Sequence, residues 1–150
     1  MKQNPVRVRR ARATDAARIA DMERHFPSDR LSDRAIRRFL RSPRADVLVA
    51  TERNQVLGNL ILLTRSTSRI ARIYSIVVDR AGRGRGLAKR LVAQAESAAR
   101  RRRCESVALE VREDNAAARG LYARLGYVET KKLPGFYDDG ADGLRLCKKL

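Results

Sequence analysis

One stretch, residues 74–93, constrains the fold of this chain more than any other. It begins with a β-branched, mostly apolar run that ends at Val78, which is typical of a strand buried on both faces. Three glycines then follow at alternate positions, with arginines between them: Gly82, Gly84 and Gly86. After the last glycine, apolar residues recur at helical spacing from Leu87 onward. The stretch therefore predicts a strand, a turn and a helix in direct succession.

A glycine-rich turn that leads into a helix favours the binding of an anion. Glycines let the backbone approach a ligand, its N–H groups point outward, and the helix dipole adds partial positive charge. The P-loop pattern is excluded because Leu87-Ala88 follows the last glycine instead of Lys-Ser or Lys-Thr. The dinucleotide fingerprint fails because Gly86 comes one residue too early. A phosphate or pyrophosphate site of another type is expected.

The rest of the chain predicts one α/β domain over residues 1–150, with a mixed sheet and the order β-α-α-β-β-β-α-β-α-β-β. Helices are expected to start at Thr14-Asp15, Ser32, Gly86 and Asp114-Asn115. Gly126 is expected to end the last of them. Strands are expected around Val6 and Val8, and at 47–51, 56–63, 73–78, 106–111, 127–130 and 144–147.

The net charge of +17 points to acidic partners: nucleic acid, ribosomes, anionic lipid or an anionic cofactor. A solvated arginine surface explains the charge equally well. No basic stretch carries interleaved aromatic residues, and Trp is absent, so a platform for stacking bases is not indicated. With 43% hydrophobic residues, the chain is not a disordered polycation.

Cysteine usage and hydropathy favour a cytoplasmic, reduced protein. Two cysteines, Cys104 and Cys147, are too few for a disulfide scaffold. No apolar run approaches the roughly 20 residues of a membrane span, and the N-terminus lacks the apolar core of a signal peptide. No membrane partner is therefore expected. The single histidine, His25, lacks metal-ligand spacing, so no metal is expected either.

Two motifs carry a resemblance to a known family. Residues 83–88 read R-x-x-G-x-A after a strand that ends in Val78-Asp79, and this closely resembles the acetyl-CoA pyrophosphate loop of the GNAT superfamily of N-acetyltransferases. Residues 109–127, L-E-V-R-E-D-N-A-A-A-R-G-L-Y-A-R-L-G-Y, resemble the bacterial ribosomal-protein-alanine N-acetyltransferase group. The element order is also that of the GNAT fold, so the resemblance covers essentially the whole chain.

The resemblance implies an acetyl-CoA-dependent N-acetyltransferase in which Glu110 is the general base and Tyr122 the general acid. It further implies that a set of residues contacts acetyl-CoA: Ile76, Val77, Val78, Arg83, Gly84, Arg85, Gly86, Leu87, Ala88, Lys89 and Asn115. From the residues alone, an exposed strand glutamate is the favoured interpretation of Glu110, and a core tyrosine is an equally natural interpretation of Tyr122. In this fold the last strands pair antiparallel, which implies that Cys104 and Cys147 lie near one another.

The acceptor amine is less well defined. An α-amine has a pKa of about 8 and a lysine side chain about 10.4, so a glutamate base suits an N-terminal amine better. Phe136-Tyr137 resembles an aromatic pair on the acceptor side of the family. The loop between the first helices lacks the family's frequent Trp, so the acceptor is not settled by resemblance. The candidate acceptor-binding residues are Phe26, Arg30, Leu31, Phe136 and Tyr137.

Three functions from different classes stay open. The first is an acetyl-CoA-dependent N-acetyltransferase that acts on the N-terminal α-amine of a protein or peptide, including a ribosomal one. The second is a GNAT enzyme that acts on a small amine such as an antibiotic or polyamine, although a basic surface favours anionic acceptors. The third is a non-catalytic binder of RNA or acyl-CoA. The expected assembly is a monomer or a homodimer.

Overall fold

The computed structural model describes residues 5–24 and 31–150. Within that part, the predicted order of helices and strands is confirmed. The strands are β1 Arg7–Arg10, β2 Ala45–Glu52, β3 Gln55–Leu63, β4 Ile70–Val78, β5 Ser106–Arg112, β6 Val128–Leu133 and β7 Gly143–Lys149. The helices are α1 Ala16–Glu23, α2 Asp33–Arg41, α3 Leu87–Arg101 and α4 Ala116–Arg124. Short 3₁₀ turns precede α1 and α3, at Ala13–Asp15 and Arg80–Gly82.

The strands form one mixed sheet with the order β1-β2-β3-β4-β5-β7-β6. All neighbours are antiparallel except β4 and β5, which are parallel and pair only from Ile70 opposite Ser106 to Arg72 opposite Ala108. Beyond Arg72 the two strands separate, and a register shift bends β4 next to Tyr74. The edge of β4 that faces β5 therefore has no strand partner over 73–78 in the described part of the chain. We call the opening between the two strands the central cleft.

Helices cover the two faces of the sheet and divide the core in two. On the α3 face, the predicted apolar stripe of α3 is confirmed, because Leu87, Leu91 and Ala95 are all buried against the sheet. The alternation predicted for β5 is confirmed as well, since its odd-numbered residues lie in the same cluster: Val107, Leu109 and Val111. On the opposite face, which we call the α1 face, helices α1 and α2 pack on β2, β3 and β4.

The predicted helix ends are mostly confirmed. The Ser32 hydroxyl accepts the N–H of Ala35 at 3.0 Å and so caps α2. Gly126 follows α4 with φ of +95°, a conformation that favours glycine. The predicted start at Thr14-Asp15 is confirmed in position, since Asp15 is the N-cap residue of α1, but its side chain makes no capping hydrogen bond to α1. The Asp15 carboxylate accepts the N–H of Arg12 at 2.7 Å and a guanidinium N–H of Arg9 at 2.8 Å, and this holds a 3₁₀ turn ahead of α1.

The expected proximity of the two cysteines is wrong. Strand β7 places Cys147 opposite Ala108, four residues along the chain from Cys104, and both thiols are free. Burial raises the pKa of the Cys104 thiol. In the described residues, no helix combines the length and the apolar character that crossing a bilayer requires.

Candidate active site

The glycines of the turn are needed for two different reasons. Gly84 and Gly86 have φ of +78° and +71°, in the left-handed region, and a Cβ on either would meet no atom within 4 Å. At Gly82 the limit is space, because a Cβ there would lie 2.6 Å from a methyl group of Leu87. The turn is thus packed tightly at its base and open to solvent at its tip.

The open part of the turn presents a row of unused backbone donors. Among the described residues, the N–H groups of 84–89 donate to no protein acceptor, and the first helical bond of α3 runs from Arg90 to the Gly86 carbonyl at 3.1 Å. Arg83 and Lys89 are exposed beside these amides. A helix N-terminus with six free amides and two cations suits a diphosphate. We call residues 84–89 the amide nest.

Two predicted cofactor-binding residues of the nest, Arg85 and Leu87, offer a ligand only their backbone N–H groups and not their side chains. The guanidinium of Arg85 forms an ion pair with Glu52, at the end of β2, so its N–H rather than its charge faces the nest. The Leu87 side chain is buried in the core, and again only its N–H remains. Ala88 is partly exposed next to them.

The central cleft, about 240 Å³ in volume, brings together many of the predicted site residues. Those on its walls are Ile76, Val77, Glu110, Asn115, Tyr122 and Tyr137. Val78 lies on the same strand and is packed partly against the α3-face core. The Asn115 side chain accepts the N–H of Ala118 at 3.1 Å and caps α4, which fixes the side chain at the cleft wall.

Glu110 is held between two arginines. Its side chain, which is only 10% exposed, accepts from Arg72 Nε at 3.1 Å and from Arg145 Nη2 at 3.4 Å. Arg145 lies directly opposite Glu110 on β7. Glu110 is therefore not the freely exposed strand glutamate that its position alone allowed. The two arginines were missed because their proximity depends on strand register.

Tyr122 enters the cleft from α4. Burial raises the pKa of its hydroxyl to about 12, and in the described part of the chain that hydroxyl has no hydrogen-bond partner. Its ring packs edge-to-face on Tyr127, with 5.7 Å between centroids. Tyr127 in turn donates to the buried Glu96 at 2.9 Å. Tyr122 is thus firmly placed, and its hydroxyl stays neutral at ordinary pH.

A second carboxylate in the cleft, that of Glu23, was not predicted as a site residue. Glu23 is 1% exposed, lies on the β4 side of the cleft, and accepts from Ser75 Oγ at 2.8 Å and from Asn59 Nδ2 at 3.2 Å. The available signal was its place on the apolar face of α1 beside Ile19 and Ala20. A carboxylate in such a position rarely lacks a specific partner.

The predicted acceptor-binding residues are only partly brought to the cleft. Tyr137 lines it and packs edge-to-face on Phe136 with 5.1 Å between ring centroids, and the Arg112 guanidinium lies 5.2 Å from the centroid of the Tyr137 ring. Leu31 is instead buried in the core between α1 and α2, because its apolar side chain packs there and not on the cleft wall. Phe26 and Arg30, like His25, lie outside the described residues. Within those residues, no cluster of His, Cys, Asp and Glu is suited to a metal ion.

Residues 14–127 match the model of the Acetyltransferase (GNAT) family. An N-alpha-acetyltransferase of Arabidopsis thaliana, MAK3, is 42% identical over 74 residues, which are 49% of this chain and 39% of that protein. The chain thus spans less than half of that relative's length. Glucosamine 6-phosphate N-acetyltransferase 1 of Oryza sativa subsp. japonica is 32% identical over 139 residues, 79% of this chain and 82% of that protein.

Among solved structures, the ribosomal-protein-S18-alanine N-acetyltransferase of Escherichia coli superposes with a TM-score of 0.85. The alignment covers 97% of this chain and 94% of that one at 22% identity. At this level of identity the likeness concerns the fold.

Proposed function

This chain belongs to the acetyltransferase (GNAT) family, as its motifs predicted, and from that premise we propose that it acetylates the N-terminal α-amine of a protein or peptide with acetyl-CoA as donor. One observation carries the proposal. A carboxylate and a neutral tyrosine, Glu110 and Tyr122, line a cleft between two separated strands, and the strand on one side leads directly into an anion-binding nest.

The residues present suit the donor. The amide nest offers six N–H groups and the nearby charges of Arg83 and Lys89 to a diphosphate, and the space above Gly84 and Gly86 is open. The unpaired edge of β4 offers N–H and C=O groups to the amides of an extended pantetheine arm, as a sheet edge does to an added strand. Along the chain, only the end of β4 and one turn separate the cleft wall from the amide nest.

The chemistry needs one proton removed and one supplied. The donor provides a thioester whose carbonyl carbon is attacked by the neutral amine, so that a C–N bond forms as the C–S bond breaks. Glu110 accepts the proton that the amine nitrogen loses, directly or through water, because its two oxygens keep lone pairs beyond those used by Arg72 and Arg145. Tyr122 donates a proton to the departing sulfur. N–H groups on the free edge of β4 support the developing oxyanion.

The choice of amine rests on reactivity and on sequence similarity. At pH 7 about a tenth of an α-amine is neutral, against roughly one in a few thousand for a lysine side chain. The 42% identity with an N-alpha-acetyltransferase supports the same choice, although it extends over only 49% of this chain. The rice relative, which matches 79% of the chain, supports a second candidate, a small anionic amine.

The proposal is tested by thiol release from acetyl-CoA across a panel of acceptors: peptides with free N-termini, the same peptides with blocked N-termini, ribosomal proteins, glucosamine 6-phosphate and polyamines. We expect release with free peptides and none with blocked ones. Release with the small amines alone would overturn the peptide assignment. Salt-sensitive RNA binding without release from any amine would overturn catalysis altogether.

A further inference from the structure

A second cleft meets the central cleft at Glu110. It lies on the part of the α1 face that α1 and α2 leave open, has a volume of about 330 Å³, and is lined by Arg65, Arg72 and Arg145. Its apolar lining consists of Leu63, Ile70, Ala108 and Cys147. We call it the arginine cleft. We propose that it selects acceptor peptides with a carboxylate side chain at the second or third residue, an inference that rests on the function proposed above.

Strand register brings the charges together around Glu110. Arg72 is opposite Ala108 on β5, and Arg145 is opposite Glu110 itself on β7, so all four side chains share one face of the sheet. Residues directly opposite in a sheet have Cβ atoms about 4.5–5.5 Å apart. An amine that reaches Glu110 is therefore within one residue's length of both guanidinium groups.

The arginine cleft holds more positive charge than its own carboxylate can match. Among its described lining residues there are three guanidiniums and one carboxylate, Glu110. Arg65 is exposed and has neither an ion pair nor a side-chain hydrogen bond within the described part of the chain. Arg72 and Arg145 are 44% and 38% exposed and use only Nε and Nη2, respectively, on Glu110. Each therefore keeps N–H donors for a second anion.

Arg72 is also held in place from behind. Its guanidinium lies 5.8 Å from the centroid of the Tyr74 ring, and Tyr74 packs on Phe39 of α2 with 5.4 Å between centroids. A guanidinium fixed on a ring loses less freedom when it binds a carboxylate than a mobile one does. The guanidinium of Arg72 is thus better positioned to bind a carboxylate than those of the arginines scattered over the surface.

The spacing of residues in an extended peptide determines which of its side chains contacts the arginine cleft. Successive residues advance by about 3.3 Å, so a peptide whose amine lies at Glu110 places its second and third residues roughly 3–7 Å further along. A Glu or Asp there reaches the free N–H groups of the cleft. A neutral side chain leaves the excess positive charge without a partner.

The test uses matched peptides that differ only by Glu or Gln at the second residue, and a second pair that differs at the third. Thiol release gives kcat/KM for each, and the ratio of the Glu to the Gln peptide is the quantity compared. We expect a ratio of about 10 or more in at least one pair, as a charge-assisted hydrogen bond supplies. Arg65→Gln and Arg145→Gln should each lower that ratio several-fold.

Arg69→Gln is the matched control. Arg69 is exposed, pairs with Glu105 outside the arginine cleft, and its loss changes the net charge by the same amount. A ratio near one in the native protein would overturn the inference while leaving the proposed function intact. An equal fall of the ratio in Arg69→Gln would assign the preference to the whole basic surface and overturn the cleft. Absence of peptide acetylation would overturn both the function and the inference.

Discussion

Residues 73–89, the donor half of the proposed site, offer a ligand mainly backbone groups, whereas the acceptor half offers side chains. The donor half is one continuous stretch that contains the free edge of β4 and the amide nest. The acceptor half draws Glu23, Arg72, Glu110 and Arg145 from one helix and three strands. The donor half therefore depends on local conformation, and the acceptor half depends on how distant elements pack.

This difference predicts different responses to substitution. A backbone site tolerates most side-chain changes, but fails when a residue blocks the N–H groups or cannot adopt the required φ. A side-chain site loses function stepwise, one group at a time. Four substitutions test that contrast, and their expected effects decrease from Gly86→Glu to Glu23→Gln.

Gly86→Glu should break the donor half. It places a carboxylate among the free amides and imposes a side chain on a φ of +71°, so we expect CoA affinity to fall by at least about 100-fold in calorimetric titration. Gly140→Glu is the matched control, because Gly140 has a φ of +84°, similar open space and a position outside the nest. Native-like affinity in Gly86→Glu, or equal loss in both variants, would contradict the nest.

Glu110→Gln should affect turnover and leave donor binding intact. The amide keeps the shape of the side chain but cannot take the proton of the amine, so kcat should fall about 100-fold or more while calorimetric CoA affinity stays within about twofold. The measurement is the rate of thiol release from acetyl-CoA with a peptide whose N-terminus is free. Full turnover in this variant would remove Glu110 from the mechanism.

Tyr122→Phe should reduce turnover by a similar factor, about 100-fold, again with normal CoA affinity.

The protonation state of Tyr122 also predicts how the rate of the native enzyme depends on pH. Tyr122 acts in its neutral form, and because burial raises its pKa to about 12, that form is lost only as the pH rises toward 12. The rate should rise as the amine loses its proton near pH 8 and then stay level from about pH 9 to 11. A fall centred near pH 10 would argue against a buried tyrosine donor.

Glu23→Gln should have the smallest effect, about tenfold or less on kcat. The amide oxygen of Gln still accepts from Ser75 and Asn59, whereas the acid–base role is assigned to Glu110. The comparison with Glu110→Gln under identical conditions is decisive. A larger loss in Glu23→Gln would transfer the role of general base to the β4 side of the cleft.

Much of the fold and the donor half could be predicted because their signals are local. Alternating glycines, helical spacing after Gly86 and the Ser32 cap act over a few residues, and all reappear in the structure. The position of Glu110 on the polar side of β5 followed from strand alternation, and Gly126 from the rule for helix ends. Each depends on neighbours that are close along the chain.

The errors and omissions have a common physical origin in long-range packing. The arginines around Glu110, the ion pair of Arg85 with Glu52, and the distance of Cys147 from Cys104 all depend on strand register. The burial of Leu31 depends on how α1 and α2 pack. Its apolar character alone does not determine that packing. Sequence spacing does not encode such neighbours.

The three residue pairs that join β4 to β5 have a mechanical consequence. They divide the sheet into plates of four and three strands, and among the described residues β4 and β5 pair as strands only from Ile70 to Arg72. Helix α3 also joins the two plates, because it packs on strands of both. The first turn of α3 also forms the amide nest. A ligand bound in the nest therefore contacts the helix that joins the two plates, at the end nearest the central cleft.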